Sequence, residues 1–261
     1  MNNLIDIGAN LLHHRYHKDR DEIINRAIDS GVTKIILTGI NLINSEKSLN
    51  RAKRHPNVLY STSGIHPHNA KEFNSEIMEQ IKKLALEKEV IAIGECGLDF
   101  DRDFSPRDIQ EECFKAHLEL SIELKKPLFL HEREAHKKFV EILSFYKEKL
   151  PKTVVHCFTG NIDELKKYIE MGLYIGLTGA ICDERKSYLK DLIKFIPLDR
   201  LMIETDAPFM LPRNMKDKPK DRRNEPAFLV YVVKMIAECL NKSEEEIALK
   251  TTNNAKEFFS I

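Results

Sequence analysis

The sequence predicts an α/β protein of the closed (β/α)8 TIM barrel type, with a single domain over residues 1–261. Short apolar segments of strand character alternate with longer segments of helical periodicity along the chain. Eight strand segments in 261 residues give about 33 residues per unit, which is the size of one strand–helix repeat. An open doubly wound sheet is the alternative fold, but no GxGxxG or GxxxxGK(S/T) motif follows any predicted strand.

The predicted strands are short runs of mainly aliphatic and β-branched residues bounded by polar or turn-forming residues. In chain order they are Leu4–Ile7, Lys34–Leu37, Val58–Ser61, Val90–Gly94, Pro127–Leu130, Thr153–Val155, Leu173–Gly176 and Leu201–Ile203. The strands of such a barrel are parallel, so their carboxyl ends all face one rim, where the active sites of this fold lie.

Helical signals are strongest in the middle and at the end of the chain. Pro226 suits a first helical turn that continues over Phe228–Leu240. Ser243 and Glu246 predict a capping box for a last helix that runs to about Phe259. A spacing of three or four residues predicts one buried helical stripe of Ile109, Cys113, Ala116, Leu120 and Leu124.

Charge, cysteine content and hydropathy exclude several classes of protein. The chain has 41 basic and 41 acidic residues, so affinity for nucleic acid must come from a local patch. Five cysteines without a CxxC motif argue against a disulfide framework and predict a reducing compartment. The longest apolar uncharged stretch, residues 171–182, is shorter than the roughly 20 residues of a membrane span. We expect a cytoplasmic monomer with no secretion signal and no membrane partner.

Four predicted strands lead into residues that commonly bind metals. Glu95 follows the fourth strand, His131 the fifth and His156 the sixth, while Asp206 lies just beyond the eighth. Two imidazoles with two carboxylates form a ligand set for a hard or borderline divalent cation. Each residue alone would more often be an ordinary solvated strand end, so the predicted metal site depends on their coincidence at one rim.

Three further residues near this rim are candidates for binding an anionic substrate. Arg133 lies two residues beyond the histidine of the fifth strand, and a guanidinium group can hold a phosphate through two hydrogen bonds. A surface ion pair with Glu132 or Glu134 is the alternative role. His66 and His68 follow the third strand in a His-Pro-His sequence, for which a plain turn is the alternative.

A basic segment follows the eighth strand. Residues 213–223 carry six basic and two acidic side chains, a net charge of +4, and include Arg222 and Arg223. Most charged runs are only solvated surface. This one begins shortly after Asp206, so it is also a candidate for following a phosphate backbone.

These candidate residues lie in six motifs that span nearly the whole chain. The motifs are Gly64-Ile65-His66-Pro67-His68, Ala92-Ile93-Gly94-Glu95-Cys96-Gly97-Leu98-Asp99, Pro127-Leu128-Phe129-Leu130-His131-Glu132-Arg133, His156-Cys157-Phe158-Thr159-Gly160, Ile203-Glu204-Thr205-Asp206-Ala207-Pro208 and Arg222-Arg223-Asn224-Glu225-Pro226. In this order they resemble the TatD-type metal-dependent deoxyribonucleases, a family within the amidohydrolase-like barrel superfamily.

The resemblance implies a single TatD-type hydrolase domain in which Glu95, His131, His156 and Asp206 hold a divalent cation. It implies hydrolysis of phosphodiester bonds in DNA, as a 3′-5′ exonuclease that prefers single strands, and it leaves open whether RNA is also a substrate. Mg²⁺ is the cation that the family suggests, whereas ligand softness alone leaves Mn²⁺ and Zn²⁺ open. A role in DNA repair or DNA fragmentation follows from the same resemblance.

Within such a site we expect a division of roles. Asp206 is the candidate for both metal ligand and proton acceptor. His66 and Arg133 are the candidates for binding the scissile phosphate and spreading the charge of the transition state. We expect His68 and the basic segment, through Arg222 and Arg223, to contact the substrate as well.

One departure from the superfamily concerns the first strand. Most members carry His-x-His there, supplying two ligands of a second metal site, whereas this chain has Gly8 and Asn10 at those positions. The TatD subgroup resembles this chain in that respect, so the change points to that branch. It leaves open whether one or two ions bind.

Two other functions remain alternatives at this point. The first is a metal-dependent hydrolase of an amide, a lactone or an aminoacyl ester such as aminoacyl-tRNA. Glu95 stands where many binuclear amidohydrolases have a carboxylated lysine, which favours phosphodiesters. The second is a catalytically silent barrel that only binds nucleic acid.

Overall fold

The computed structural model describes residues 3–261 and contains eight β-strands within that range. All eight predicted strands are present, and two of them, β6 and β8, have the predicted bounds. The strands are β1 (Leu4–Ala9), β2 (Val32–Leu37), β3 (Leu59–Ser63), β4 (Val90–Asp99), β5 (Leu128–Arg133), β6 (Thr153–Val155), β7 (Tyr174–Leu177) and β8 (Leu201–Ile203).

Helices lie between the strands and after the last one. They are α1 (Arg20–Asp29), α2 (Leu42–Arg54), α3 (Ser75–Ala85), α4 (Arg107–Leu124), α5 (His136–Tyr146), α6 (Ile162–Glu170), α7 (Tyr188–Leu192), α8 (Leu229–Leu240) and α9 (Glu244–Phe259). A 3₁₀ turn at Pro226–Phe228 leads into α8, as the proline predicted. The Ser243 side chain accepts the Glu246 N–H at the start of α9. Over residues 3–261, no helix is long and apolar enough for a membrane crossing.

The strands form one sheet in the order β1 to β8, which is the strand order of the predicted fold. Neighbouring strands run parallel where their register is defined, as in β4–β5, where Gly97 pairs with His131. The end of β1 pairs with the segment after β8 through a bridge between Ala9 and Ala207. The prediction of a (β/α)8 fold is confirmed. The contacts divide the chain into two compact units, one of residues 38–156 and one of residues 157–261 with the described residues up to Leu37.

Helix α4 shows how the buried face differs from the predicted stripe. Ile109, Ala116 and Leu124 of that stripe are only half-buried. The fully buried face is shifted and includes the polar residues Gln110, His117 and Ser121. All three form hydrogen bonds with backbone groups, since Gln110 and Ser121 donate to carbonyls and His117 accepts an N–H. Apolar spacing does not reveal such positions, because their burial depends on partners elsewhere in the fold.

Candidate metal-dependent hydrolase site

Three histidines converge on one carboxylate oxygen in the unit of residues 38–156. The Oε1 atom of Glu95 lies 2.8 Å from His156 Nε2 and 3.1 Å from His131 Nδ1. His66 Nε2 lies 3.2 Å from the same oxygen. Glu95 and His156 are buried, and the other two histidines keep a small exposed fraction. The structure thus brings three of the four predicted metal ligands together, with His66 as an additional neighbour.

The backbone of β4 makes this convergence possible. Gly94 and Gly97 flank the Glu95-Cys96 pair and both have positive φ values, +139° and +142°. A Cβ atom on Gly94 would lie 2.2 Å from the Phe129 carbonyl oxygen, and one on Gly97 would lie 1.9 Å from that of His131. Only glycine therefore lets β4 pass this close to β5.

Asp99 extends the cluster by one more carboxylate. Its Oδ2 atom lies 2.7 Å from His68 Nε2 and 3.2 Å from His131 Nε2. Its Oδ1 atom accepts the backbone N–H groups of Asp101 and Arg102. The His131 ring therefore lies between two carboxylates, one at each nitrogen. Asp99 fixes the orientation of this ring, as carboxylates do beside metal-binding histidines.

The protonation states follow from burial and from these contacts. Burial would raise the pKa of the Glu95 carboxyl, but His66 and His156 nearby and hydrogen bonds from His131 and His156 lower that pKa well below its usual range. Burial lowers the pKa of His66 to about 4 in spite of the Glu95 charge. Burial also acts to lower the pKa of His131, but its hydrogen bonds to Asp99 and Glu95 raise it overall. Glu95 is therefore an anion and His66 a neutral ring at neutral pH.

Arg133, the predicted phosphate-binding residue, forms an ion pair in the structure. Its Nη2 atom lies 2.9 Å from Asp101 Oδ2, a partner other than the neighbouring glutamates considered from the sequence. The guanidinium group is about half exposed, with 46% of the side chain accessible. A surface pair of this kind contributes little stability, so an anionic ligand can replace Asp101 at low cost.

Asp206 lies in the other unit and is held there by residues near the end of β1. Asn10 Nδ2 donates to Asp206 Oδ1 over 3.0 Å. The Asp206 backbone N–H donates to the Gly8 carbonyl over 2.8 Å. Gly8 and Asn10 are the residues that stand in place of His-x-His, and in this chain the Asn10 amide occupies a lone pair of Asp206.

The two arginines of the basic segment differ sharply. Arg223 is largely buried, with 17% of its side chain exposed, and donates to both carboxylate oxygens of Asp19. Its guanidinium group also lies over the Tyr16 ring, 5.0 Å from the ring centre. Arg222 is exposed. A phosphate would have to compete with Asp19 for Arg223, whereas Arg222 is accessible from solvent.

Three buried acidic residues were missed as candidates. Asp99 is on the same face of β4 as Glu95, four residues further along, so strand periodicity was the available signal. Glu204 is fully buried and its Oε1 accepts the Cys157 N–H. Asp6 accepts the Thr205 N–H and hydroxyl, and burial raises its pKa to about 7 although those hydrogen bonds act in the opposite direction. The hydrogen bonds of Glu204 and Asp6 could not be predicted from the sequence, because their partners lie 47 and 199 residues away along the chain.

The donor set at Glu95 fits a divalent cation. The ligand atoms of His66, Glu95 and His131 all lie within 4.8 Å of one another, and the Glu95 carboxylate is ionised. Metal binding requires a carboxylate ligand in that form. A (β/α)8 fold with such a cluster at its strand ends defines the class of metal-dependent hydrolases.

Comparison with known proteins gives the family. A sequence profile of the family described as TatD related DNase matches residues 5–260. A curated protein of Pantoea vagans named 3′-5′ ssDNA/RNA exonuclease TatD is 45% identical over 259 residues, which cover 99% of this chain and 100% of that one. The chain therefore belongs to the TatD related DNase family. It is a hydrolase of ester bonds and a nuclease, as predicted.

Solved structures agree with this assignment. A TatD family hydrolase from Entamoeba histolytica superposes with a TM-score of 0.90 at 27% identity, covering 99% of this chain and 98% of the other. A TatD homologue from Escherichia coli K12 gives a TM-score of 0.89 at 28% identity with the same coverage. Both comparisons extend over the full (β/α)8 fold.

Proposed function

We propose that this protein is a divalent-metal-dependent exonuclease that removes nucleotides from the 3′ ends of single-stranded DNA and RNA. The observation that carries the proposal is the convergence of three imidazole nitrogens on the buried Glu95 oxygen. The substrate and the direction are supported by relatives about 45% identical to this chain, which are named 3′-5′ ssDNA/RNA exonucleases. The aminoacyl ester and the silent barrel have no such support.

We assign the metal-holding role within residues 38–156 to Glu95, His131 and His156. Bound there, a divalent cation would polarise a phosphodiester and favour the ionisation of a water molecule. Mg²⁺ is proposed from the family resemblance, since imidazole ligands alone would suit Mn²⁺ or Zn²⁺ equally well. The ligand and proton-acceptor roles of Asp206 stay predictions, and so does the number of ions.

The chain's own residues then have distinct tasks. His66 Nδ1 accepts the His68 N–H, so the neutral His66 ring carries its proton on Nε2 and can donate it to a phosphate oxygen. Arg133 can add two hydrogen bonds once Asp101 is displaced. Asp99 keeps the His131 ring in place. The predicted contact roles of His68 and Arg222 also remain proposals, whereas Arg223 would contact the strand only by leaving Asp19.

The cysteines bear on the cellular setting. All five cysteines are free thiols, as a reducing compartment would require, and we propose that the protein acts in the cytoplasm. The role in DNA repair or fragmentation, the monomeric state and the single-domain organisation stay predictions.

A substrate panel tests the proposed function. End-labelled single-stranded DNA, double-stranded DNA and RNA would be digested in Mg²⁺, Mn²⁺ or Zn²⁺, with and without chelator. We expect stepwise loss of nucleotides from the 3′ end of single strands, and no product with chelator. Glu79→Gln, the same chemical change on the exposed face of α3, is the control for Glu95→Gln. Activity that survives chelation, or digestion from the 5′ end, would refute the proposal.

A further inference from the structure

Phe104 is an exposed aromatic residue beside the histidine cluster. It lies in the loop between β4 and α4, and 60% of its surface is accessible. Its ring centre is 4.8 Å from that of His68 in an edge-to-face arrangement. His68 in turn is bonded to Asp99. A large apolar side chain is thus exposed next to residues that are proposed to bind phosphate.

The loop that carries Phe104 is fixed by several hydrogen bonds. Ser105 Oγ donates to the His68 carbonyl over 3.0 Å. Gln110 Nε2 donates to the carbonyls of Ser105 and Asp99, and Gln110 Oε1 accepts the Asp99 N–H. Gln110 and Ser105 are both buried. The aromatic ring is therefore presented from a rigid support, and little ordering is lost when a ligand packs against it.

Distances place this ring within one nucleotide of the proposed phosphate-binding residues. The ring centres of His66 and His68 are 4.3 Å apart, and those of His68 and Phe104 are 4.8 Å apart. The Phe104 ring is consequently no more than about 9 Å from that of His66. A nucleotide whose phosphate contacts the histidines carries its base to the neighbourhood of Phe104.

We propose that Phe104 is a stacking platform for one nucleobase of the bound strand. The proposal rests on the proposed nuclease function and names a recognition element of the same site. Stacking of bases on aromatic side chains is tolerant of sequence, because every base has a π-face. It requires an accessible base face, which a single strand offers and a paired duplex does not. Phe104 would thereby favour single-stranded substrates without selecting a sequence.

Tryptophan fluorescence provides a direct test, because the protein has no tryptophan. Phe104→Trp would introduce a single reporter at the proposed platform. Phe145→Trp is the matched control, since Phe145 is 84% exposed on α5 of the same unit. Each variant would be titrated, with the divalent cation present, with a short single-stranded DNA whose phosphorothioate linkages resist hydrolysis. We expect quenching at position 104 only, and its loss with an oligonucleotide that lacks the base at one of its last three positions.

Kinetics test the same contact without a reporter. Phe104→Ala and Phe104→Leu should each lower kcat/KM for single-stranded DNA by about 10-fold or more, whereas Phe104→Tyr and the control Phe145→Ala should not. A substrate that lacks the base needed for quenching should lower kcat/KM of the wild type by the same factor as Phe104→Ala does. The same substrate should not lower kcat/KM of the Phe104→Ala variant any further.

The outcomes separate this inference from the proposed function. Quenching in the Phe104→Trp variant without any strand cleavage by the wild type would uphold the stacking site and refute the exonuclease. Cleavage by the wild type with unchanged kcat/KM for Phe104→Ala would refute the stacking site alone. If the wild type neither binds nor cleaves the strand, both proposals fail.

Discussion

Glu95 and Asp6 are two buried carboxylates in opposite electrostatic states. Glu95 is surrounded by imidazole nitrogens from three histidines, and its pKa lies well below the usual range. Asp6 contacts backbone N–H groups and the Thr205 hydroxyl, and burial raises its pKa to about 7. Glu95 and Asp6 are buried to nearly the same extent, so the opposite shifts of their pKa values come from the neighbouring groups. We therefore propose Glu95, which is ionised among histidines, as the functional carboxylate, and Asp6, which is held by uncharged donors, as a structural one.

We expect the largest effect from removing the charge of Glu95. Glu95→Gln should lower nuclease activity by about 1,000-fold or more, because it removes a charged ligand of the proposed metal site. The variant should still unfold cooperatively. Asp6→Asn is the matched control, since it makes the same chemical change at a buried carboxylate, and we expect it to retain most of the activity at pH 7. Equal losses in the two variants would contradict the distinction drawn between them.

The state of Asp6 predicts a specific dependence of stability on pH. Its pKa is raised in the folded protein from 3.8 to about 7, so the stability that the protonated group contributes is present below pH 4 and is lost as pH rises through 7. A shift of this size corresponds to on the order of 4 kcal/mol in the free energy of unfolding. Asparagine imitates the protonated acid and does not titrate.

Urea unfolding of the wild type and Asp6→Asn at pH 4 and pH 9 measures this contribution. We expect the difference in unfolding free energy to change by several kcal/mol in favour of the variant at the higher pH. Titrations of all other groups cancel in this comparison. A constant difference across the range would mean that Asp6 is ionised in the folded protein at neutral pH.

The same contrast shows what the sequence can and cannot reveal. The bounds of β6 and β8 were predicted correctly, because each is a short apolar run that ends in polar or turn residues. The prediction ended β4 at Gly94, the last residue of the apolar run before Glu95. The structure continues β4 to Asp99. The glycines at positions 94 and 97 have no side chain, so the β4 backbone can stay close to β5 over this stretch. Asp99 was missed for that reason.

The charge of the basic segment illustrates a second limit. Its net charge of +4 is a correct count, but a count does not show which cations have partners elsewhere in the chain. Arg223 is bonded to Asp19, 204 residues away, and Arg133 is bonded to Asp101 rather than to its neighbours. Glu95, His131 and His156 could be proposed as metal ligands because each one directly follows a predicted strand. Pairings over long sequence separations require the three-dimensional structure.

A smaller effect is expected at Asp99, which orients a histidine without being a proposed ligand. Asp99→Asn should weaken the affinity for the divalent cation by about 10- to 100-fold. The uncharged amide is a weaker acceptor for His131 Nε2 than the carboxylate, so it holds the ring less firmly. Calorimetric titration with Mn²⁺ measures this affinity without reference to catalysis. Saturating metal should restore much of the activity, in contrast to Glu95→Gln. Unchanged metal affinity would assign Asp99 to the architecture of the loop only.

We expect the smallest effects from substituting the two arginines of the basic segment, Arg222 and Arg223. The sequence alone gives no reason to distinguish them. Arg222→Ala should leave stability unchanged and reduce the slope of log K against log salt for single-stranded DNA by about 0.7, the value for one lost phosphate contact. Arg223→Ala should instead lower the free energy of unfolding by roughly 1–2 kcal/mol, because it removes the hydrogen bonds to Asp19. Its effect on the salt slope should be absent, since the guanidinium group is already engaged. An equal change of slope in both variants would show that the strand displaces Asp19, and both arginines would then belong to the nucleic-acid contact.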